Sequence, residues 1–264
     1  MPARTLTLAS STIHIFPDSQ SACRAAAETI AETIRRAIAD RGRAVLGLAT
    51  GKTPLPVYDR LVALHQAGEL SFANVSTYNL DEYYPVKPTD PDSYRAYMDR
   101  HLFDHVDLQA NRAHLFDGTV PESFVAEHAE NFDRWIQAEG GLDLQLLGIG
   151  RNGHIGFNEP SRLTVDQACK LPSRLMPLHP TTLADAIADF GDEALVPRRA
   201  LTLGTAAILA ARSILILAFG SKKADILAQA LKGPITAEIP ASLLQTIARR
   251  VTWMIDEAAA TGLG

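Results

Sequence analysis

Cysteine is nearly absent from this chain, with only Cys23 and Cys169 among 264 residues. So sparse a set builds no disulfide framework and reads as the reduced thiols of a cytosolic protein, so a cytoplasmic location is expected. Long hydrophobic runs are missing too. The longest apolar stretches, such as Ser213 to Phe219, fall far short of the roughly 20 residues that a membrane helix needs. The opening Met-Pro-Ala-Arg leads into a Ser/Thr-rich stretch without the apolar core of a secretory signal. No membrane association is expected. Clustered positive charge is also lacking: the net charge is −5 and the basic residues are scattered, with no run that could track a phosphate backbone. A nucleic-acid partner is therefore not expected. Finally, there is no internal repeat and no Gly/Ser or Pro linker to divide the chain, so residues 1–264 read as a single domain.

What is present is a chain able to bury a large core, with 47% hydrophobic and 21% charged residues. A helical pattern runs from Asp18 to Asp40, with Ile30, Ile34 and Ile38 on one face and Gly42 as a stop. Ala44 to Ala49 then reads as a buried strand, followed by a turn and a second helix over Pro54 to Gln66. Short apolar runs recur at Val75 to Asn79, Leu142 to Gly148, Ser213 to Phe219 and Val251 to Ile255, separated by segments of helical period. This alternation predicts an α/β fold: a doubly wound, mostly parallel, Rossmann-like sheet with helices on both faces. The Pro-containing stretch at about 161–197 is the least regular part and reads as a lid.

In such sheets ligands bind beyond the carboxyl ends of the strands, so chemistry is sought there. Gly148 to Gly153 matches the dinucleotide pattern GxGxxG after a strand. The chain then continues into His154-Ile155-Gly156-Phe157-Asn158-Glu159-Pro160, which is poor in helix formers, and no acidic residue follows about 20 positions later. A dinucleotide cofactor is not expected. The same loop does hold His154 between Asn152 and Glu159, and a carboxylate that orients an imidazole makes a proton relay. His101 and His105, spaced i, i+4, lack the neighbours of a zinc motif, so no metal is expected.

Thr50-Gly51-Lys52-Thr53-Pro54 sets hydroxyl-bearing residues at a strand-to-helix turn, where free backbone N–H groups favour an anion such as phosphate. The Walker spacing is absent, so a nucleoside triphosphate is not inferred. Gly220-Ser221-Lys222-Lys223 supplies a second such turn, and Lys223 is placed to reach the same phosphate. Asn79-Leu80-Asp81-Glu82-Tyr83 puts two acids after an apolar strand, where poor solvation raises a carboxylate's proton affinity and suits it to act as a base at carbon. These features together describe an enzyme that moves protons at carbon on a small phosphorylated molecule without a metal.

Ala49 to Pro54, Leu80 to Tyr83 and Gly148 to Pro160 resemble the glucosamine-6-phosphate deaminase family, as do Ala200 to Gly204, Gly220 to Lys223 and Ile239 to Ser242. The resemblance spans most of the chain, and Gly-His-Ile-Gly-Phe-Asn-Glu-Pro is its most specific part. It implies conversion of an amino-sugar 6-phosphate to fructose 6-phosphate and ammonia. Asp81 would move the proton from C2 to C1, and His154, supported by Asn152 and Glu159, would open the pyranose ring. Gly51, Thr53 and Lys223 would hold the phosphate, with Thr50 and Lys52 of the same turn as further candidates. The family contains both monomers and hexamers, so a homo-oligomer stays open.

The chain departs from the family pattern in three places. Asn152 stands where many members carry Asp, so the charge supporting His154 must come from Glu159. Lys52 replaces a small residue, and either strengthens phosphate binding or points to solvent. The lid lacks the familiar Ser-Arg-Thr-Arg run and a later phosphate-binding Arg, for which Arg174, Arg198 and Arg199 are candidates, and a galactosamine-type epimer stays open as substrate. Two other classes compete: a 6-phosphogluconolactonase, which shares the fold and the glycine-histidine loop but needs no base at carbon, and a non-catalytic sugar-phosphate sensor.

Overall fold

The computed structural model describes residues 1–263, without the side chains at 188 and 189. In chain order the elements are β1 (Arg4–Leu8), β2 (Ser11–Phe16), α1 (Ser19–Arg41), β3 (Ala44–Leu48), α2 (Leu55–Gln66), β4 (Val75–Asn79), β5 (Asp81–Tyr84) and α3 (Tyr94–His101). There follow β6 (Ala113–His114), α4 (Val125–Ala138), β7 (Leu144–Gly148), α5 (Val165–Cys169), β8 (Arg174–Pro177), α6 (Pro180–Phe190) and β9 (Arg199–Thr202). The chain closes with α7 (Thr205–Ala210), β10 (Ile214–Ala218), α8 (Ala224–Lys232), β11 (Val251–Asp256) and α9 (Glu257–Ala260).

Eight strands form one sheet in the order β1-β2-β11-β10-β7-β3-β4-β6, parallel throughout except for the antiparallel edge pair β1–β2. The five apolar runs in the sequence are five of its strands, and β3, β4 and β10 are buried along their whole length. α1 begins where Asp18 accepts a hydrogen bond from Ser21 N at 2.7 Å and ends at Gly42, whose positive φ lets its N–H reach Ile38 O. Between those caps Ala22, Ala26, Ile30 and Ile34 are buried along one face. At the amino-terminal end of the sheet, Asp143 binds Val45 N with one oxygen and both Arg41 and Arg212 with the other, pinning β3 beside β7.

From β3 the chain winds outward to β4 and β6, then returns to the other side of β3 as β7 and winds towards β10 and β11. Winding reverses between β3 and β7, which opens a crevice at their carboxyl ends. Across that crevice lies a second, three-stranded antiparallel sheet, β5-β9-β8. Asp81 thus opens a strand of this sheet rather than sitting in a loop after β4, as the sequence suggested. The stretch at 161–197 is also more regular than expected, for it contains α5, β8 and α6.

Candidate active site

A cavity of about 260 Å³ occupies the crevice, lined by Ala49, Thr50 and Thr53 after β3, Gly148 to Gly150 at the carboxyl end of β7, and Leu217 to Phe219 at the carboxyl end of β10. That size lies at the small end of ligand pockets and suits one sugar phosphate better than a dinucleotide. Asp81, Tyr83 and Tyr94 line it from the small-sheet side, and Thr182, Asp185 and Ala186 from α6. No helix starts in the glycine turn, because the chain reaches α5 only at Val165, so the GxGxxG match lacks the geometry of a dinucleotide site.

Asp81 is 7% exposed, and burial, reinforced by the charge of Glu82, pushes its carboxyl up to about 8. Glu82 is itself buried and pushed to about 7, although it accepts backbone N–H bonds from Tyr83, Tyr94 and Arg95 at 2.9–3.0 Å. Two of those donors form the amino terminus of α3, so Glu82 ties β5 to that helix. Further along α3, the Tyr97 hydroxyl donates to Gly51 O at 2.6 Å and braces the turn after β3, where Gly51 has a φ of +102°.

His154 lies over Gly150, where a Cβ would stand 2.2 Å from the ring. Its Nδ1 is 3.4 Å from Glu159 Oε2. Asn152 does not touch the ring: its amide donates to Glu159 Oε2 at 2.9 Å, and its oxygen accepts from His154 N at 3.2 Å. Thr182 donates to Glu159 Oε1 at 2.5 Å, and its oxygen lies 3.4 Å from His154 Nδ1. Burial alone would raise the Glu159 carboxyl, but the hydrogen bond and charge of His154, with Thr182 and Asn152, outweigh it and hold it at about 2. A carboxylate this firmly ionised fixes the ring's orientation through its contact with Nδ1.

Lys223 closes a short 3₁₀ turn after Gly220, lines the cavity and donates to Ile149 O at 2.7 Å. Burial lowers its proton affinity, Asp185 opposes that shift and Arg151 adds to it. Thr50 and Thr53 line the same cavity, whereas Lys52 is exposed and stands outside the lining. Of the three candidate arginines, none lines the cavity. Arg174 binds Asn158 Oδ1, Arg198 pairs with Glu193, and Arg199 pairs with Glu122.

The structure therefore gathers Asp81, His154, Thr50, Thr53 and Lys223 around one cavity, with Asn152 and Glu159 behind His154 and Gly51 in the supporting turn. Sequence reasoning missed Thr182. Pro180 at the helix start and Gly191 just past its end mark α6 in the sequence, and Thr182 with Asp185 then falls on one face of it. Thr202 was also missed: it pairs with Asp81 across β5–β9, and its hydroxyl accepts from Phe157 N at 3.0 Å.

The family model described as glucosamine-6-phosphate isomerases/6-phosphogluconolactonase matches residues 17–253. The chain belongs to that family. Within it, a glucosamine-6-phosphate deaminase from Rhodopirellula baltica is 45% identical over 249 residues, 94% of each chain. Glucosamine-6-phosphate deaminase 2 from Bacillus subtilis is 40% identical over 243 residues, 91% of this chain and 93% of its own. A solved monomeric glucosamine-6-phosphate deaminase superposes with a TM-score of 0.87 at 36% identity, covering 95% of this chain and 99% of its own. The lactonase branch of the family is more distant: the Trypanosoma brucei 6-phosphogluconolactonase shares the fold at a TM-score of 0.74 and 20% identity, covering 99% of this chain and 100% of its own. Among the described residues, no helix is long and apolar enough to cross a membrane.

Proposed function

We propose that the chain is an amino-sugar-6-phosphate deaminase, converting glucosamine 6-phosphate and water to fructose 6-phosphate and ammonia. The observation that carries this reading is Asp81, a buried carboxyl on the cavity wall with its proton affinity raised to about 8. Lactone hydrolysis, the competing reaction of the family, has no use for such a base at carbon. The deaminase relatives at 40–45% identity support the same choice.

In this reading the phosphate is held by the backbone and hydroxyls of Thr50, Gly51 and Thr53 and by Lys223. His154, oriented by Glu159, passes a proton to the ring oxygen while the C1 hydroxyl loses its proton, giving the open aldehyde. Asp81 then takes the proton from C2 while the C1 oxygen takes up a proton from solvent, so that the C1=O double bond gives way to a C1–C2 double bond bearing a hydroxyl, and Asp81 returns its proton to C1. The nitrogen on C2 is left as an iminium, which water hydrolyses to the ketone and ammonia. Every step is a proton transfer or an addition of water, so the residues named suffice without a cofactor. Poor solvation of Asp81 matters because a solvated carboxylate is too weak a base for a C–H bond.

The stretch at 161–197 acts as a lid over the sugar, since α6 supplies cavity-lining residues. We place the reaction in the cytoplasm, where charged sugar phosphates are retained, and take the partner to be this small molecule rather than a nucleic acid, in keeping with the net charge of −5. A homo-oligomer is compatible with this reading, as is a monomer. The test is ammonia release from glucosamine 6-phosphate and galactosamine 6-phosphate, alongside hydrolysis of 6-phosphogluconolactone. Turnover of an amino sugar supports the proposal, and turnover of the lactone alone overturns it.

A further inference from the structure

The mouth of the cavity carries a carboxylate where an anion is meant to bind. Asp185, on α6, lines the cavity beside Lys223, and it is paired with Arg151 from the loop that leaves β7. The pair is bidentate, with Arg151 Nε 3.0 Å from Oδ2 and a terminal nitrogen 2.6 Å from Oδ1. Lys223 feels both charges. Arg151, which follows the lining residue Gly150, is thus held against a carboxylate that shares the cavity wall with Lys223, across from a turn whose backbone already favours a negative group.

We propose that Arg151 is a phosphate ligand of this site and that Asp185 occupies its guanidinium until the sugar phosphate arrives. This rests on the sugar-phosphate reading above and adds a specificity residue to it. The planar fork now spent on a carboxylate fits phosphate oxygens equally well. A phosphate dianion brings about twice the charge of Asp185 and enough oxygens to serve Arg151 and Lys223 together. The exchange costs little, because the side chains of Arg151 and Asp185 are 48% and 47% exposed, and an ion pair so open to water contributes little on its own. Asp185, once displaced, has solvent to turn into. Helix α6 is not released with it, since Thr182 and the backbone of His179 still bond Glu159. The arrangement favours doubly charged phosphate esters over neutral sugars, which cannot displace the carboxylate.

Calorimetric titration with inorganic phosphate and with fructose 6-phosphate tests this on the wild type, Arg151→Gln, Arg151→Lys and Asp185→Asn, with circular dichroism to confirm folding. Arg151→Gln is expected to weaken both ligands by about 10-fold or more, the usual scale for a charge-assisted hydrogen bond. Arg151→Lys, which keeps the charge but not the fork, should fall between it and the wild type. Asp185→Asn should tighten both ligands about threefold, because it removes the competing charge. In turnover assays the loss should fall on KM more than on kcat, as for a group that binds ground and transition states alike. Phosphate binding by Arg151→Gln within about twofold of wild type, or weaker binding by Asp185→Asn, would overturn the proposal. Should the wild type bind phosphate but release no ammonia, the deaminase reading fails while the titrations still decide the role of Arg151. Should it bind neither ligand at millimolar concentration, both readings fall.

Discussion

Thr182 donates its hydroxyl hydrogen to Glu159 at 2.5 Å, which joins helix α6 to the carboxylate that orients His154. Helix α6, Glu159 and His154 are therefore one connected unit. Replacing Thr182 by Val keeps the shape but strands a lone pair of a buried carboxylate, which costs about 1–3 kcal/mol. We expect kcat/KM to fall about 10-fold or more, with Thr182→Ser restoring most of it. Steady-state kinetics on the two variants check this, and equal loss in both would disprove a hydroxyl-specific role.

Gly150 admits no side chain, because a Cβ there would stand 2.2–2.4 Å from three atoms of the His154 ring. Gly150→Ala should push the imidazole off Glu159 and lower kcat by about 10- to 100-fold, the scale of a misplaced general acid. Phosphate binding, measured by calorimetry, should stay intact, and a simultaneous loss of binding would point instead to collapse of the whole loop.

The pH dependence of activity follows from Asp81 and Glu82, pushed to about 8 and about 7 by burial. A base must be ionised, so kcat/KM should rise with pH through the 7–8 range, with the two carboxyls titrating as a coupled pair. In Glu82→Gln the neighbouring negative charge is gone, and the rising limb should move to lower pH. A limb that stays in place would show that Glu82 does not act on Asp81.

Stability has its own signature, and its sign differs between the two carboxylates flanking the cavity. Asp81 binds its proton more tightly folded than unfolded, so its contribution to stability is present at low pH and is lost as pH rises from about 4 to about 8. Glu159, held at about 2, behaves oppositely: its contribution is present above the ordinary carboxylate range and is lost as pH falls towards 2. Asp81→Asn removes the first effect. Its melting temperature relative to wild type should rise between pH 5 and pH 8 by about 3 °C or more. A constant difference across that range would mean that Asp81 is not held protonated by burial.

At the opposite end of the sheet, Asp143 is an almost buried acceptor for Arg41, Arg212 and Val45 N. Asp143→Ala leaves a backbone donor and two guanidinium groups without it. A loss of about 1–3 kcal/mol is expected in urea unfolding, mostly from the stranded Val45 N–H because the two guanidinium groups remain open to water, with kcat unchanged in the protein that remains folded.

Much of this was legible in the sequence. The five apolar runs became central strands because strands buried on both faces need no alternation, so an unbroken apolar run is their signal. His154, Asn152 and Glu159 lie within eight residues of one another, so their meeting needs only a tight loop, and the sequence places them together. The small sheet was not legible: β5 and β9 are four-residue strands whose pairing joins Asp81 to Thr202 across most of the intervening chain. Thr182 escaped notice for the same reason, since its role depends on where α6 lands rather than on its neighbours in sequence. Asn152 was read as a partner of the imidazole, whereas it acts through Glu159 and the backbone.

The most direct test of the account is turnover of glucosamine 6-phosphate in D₂O by wild type and Asp81→Asn, with product followed by NMR and ammonia measured in parallel. The account predicts that wild type releases ammonia and forms fructose 6-phosphate carrying some deuterium at C1, because the carboxyl of Asp81 exchanges with solvent between taking the proton and returning it. Asp81→Asn should still bind fructose 6-phosphate yet lose kcat by about 1,000-fold or more, at the upper end of what a general base supplies. A folded Asp81→Asn variant that keeps a tenth of the wild-type rate would contradict it, roughly 1.4 kcal/mol being far less than the loss of the only base at carbon should cost.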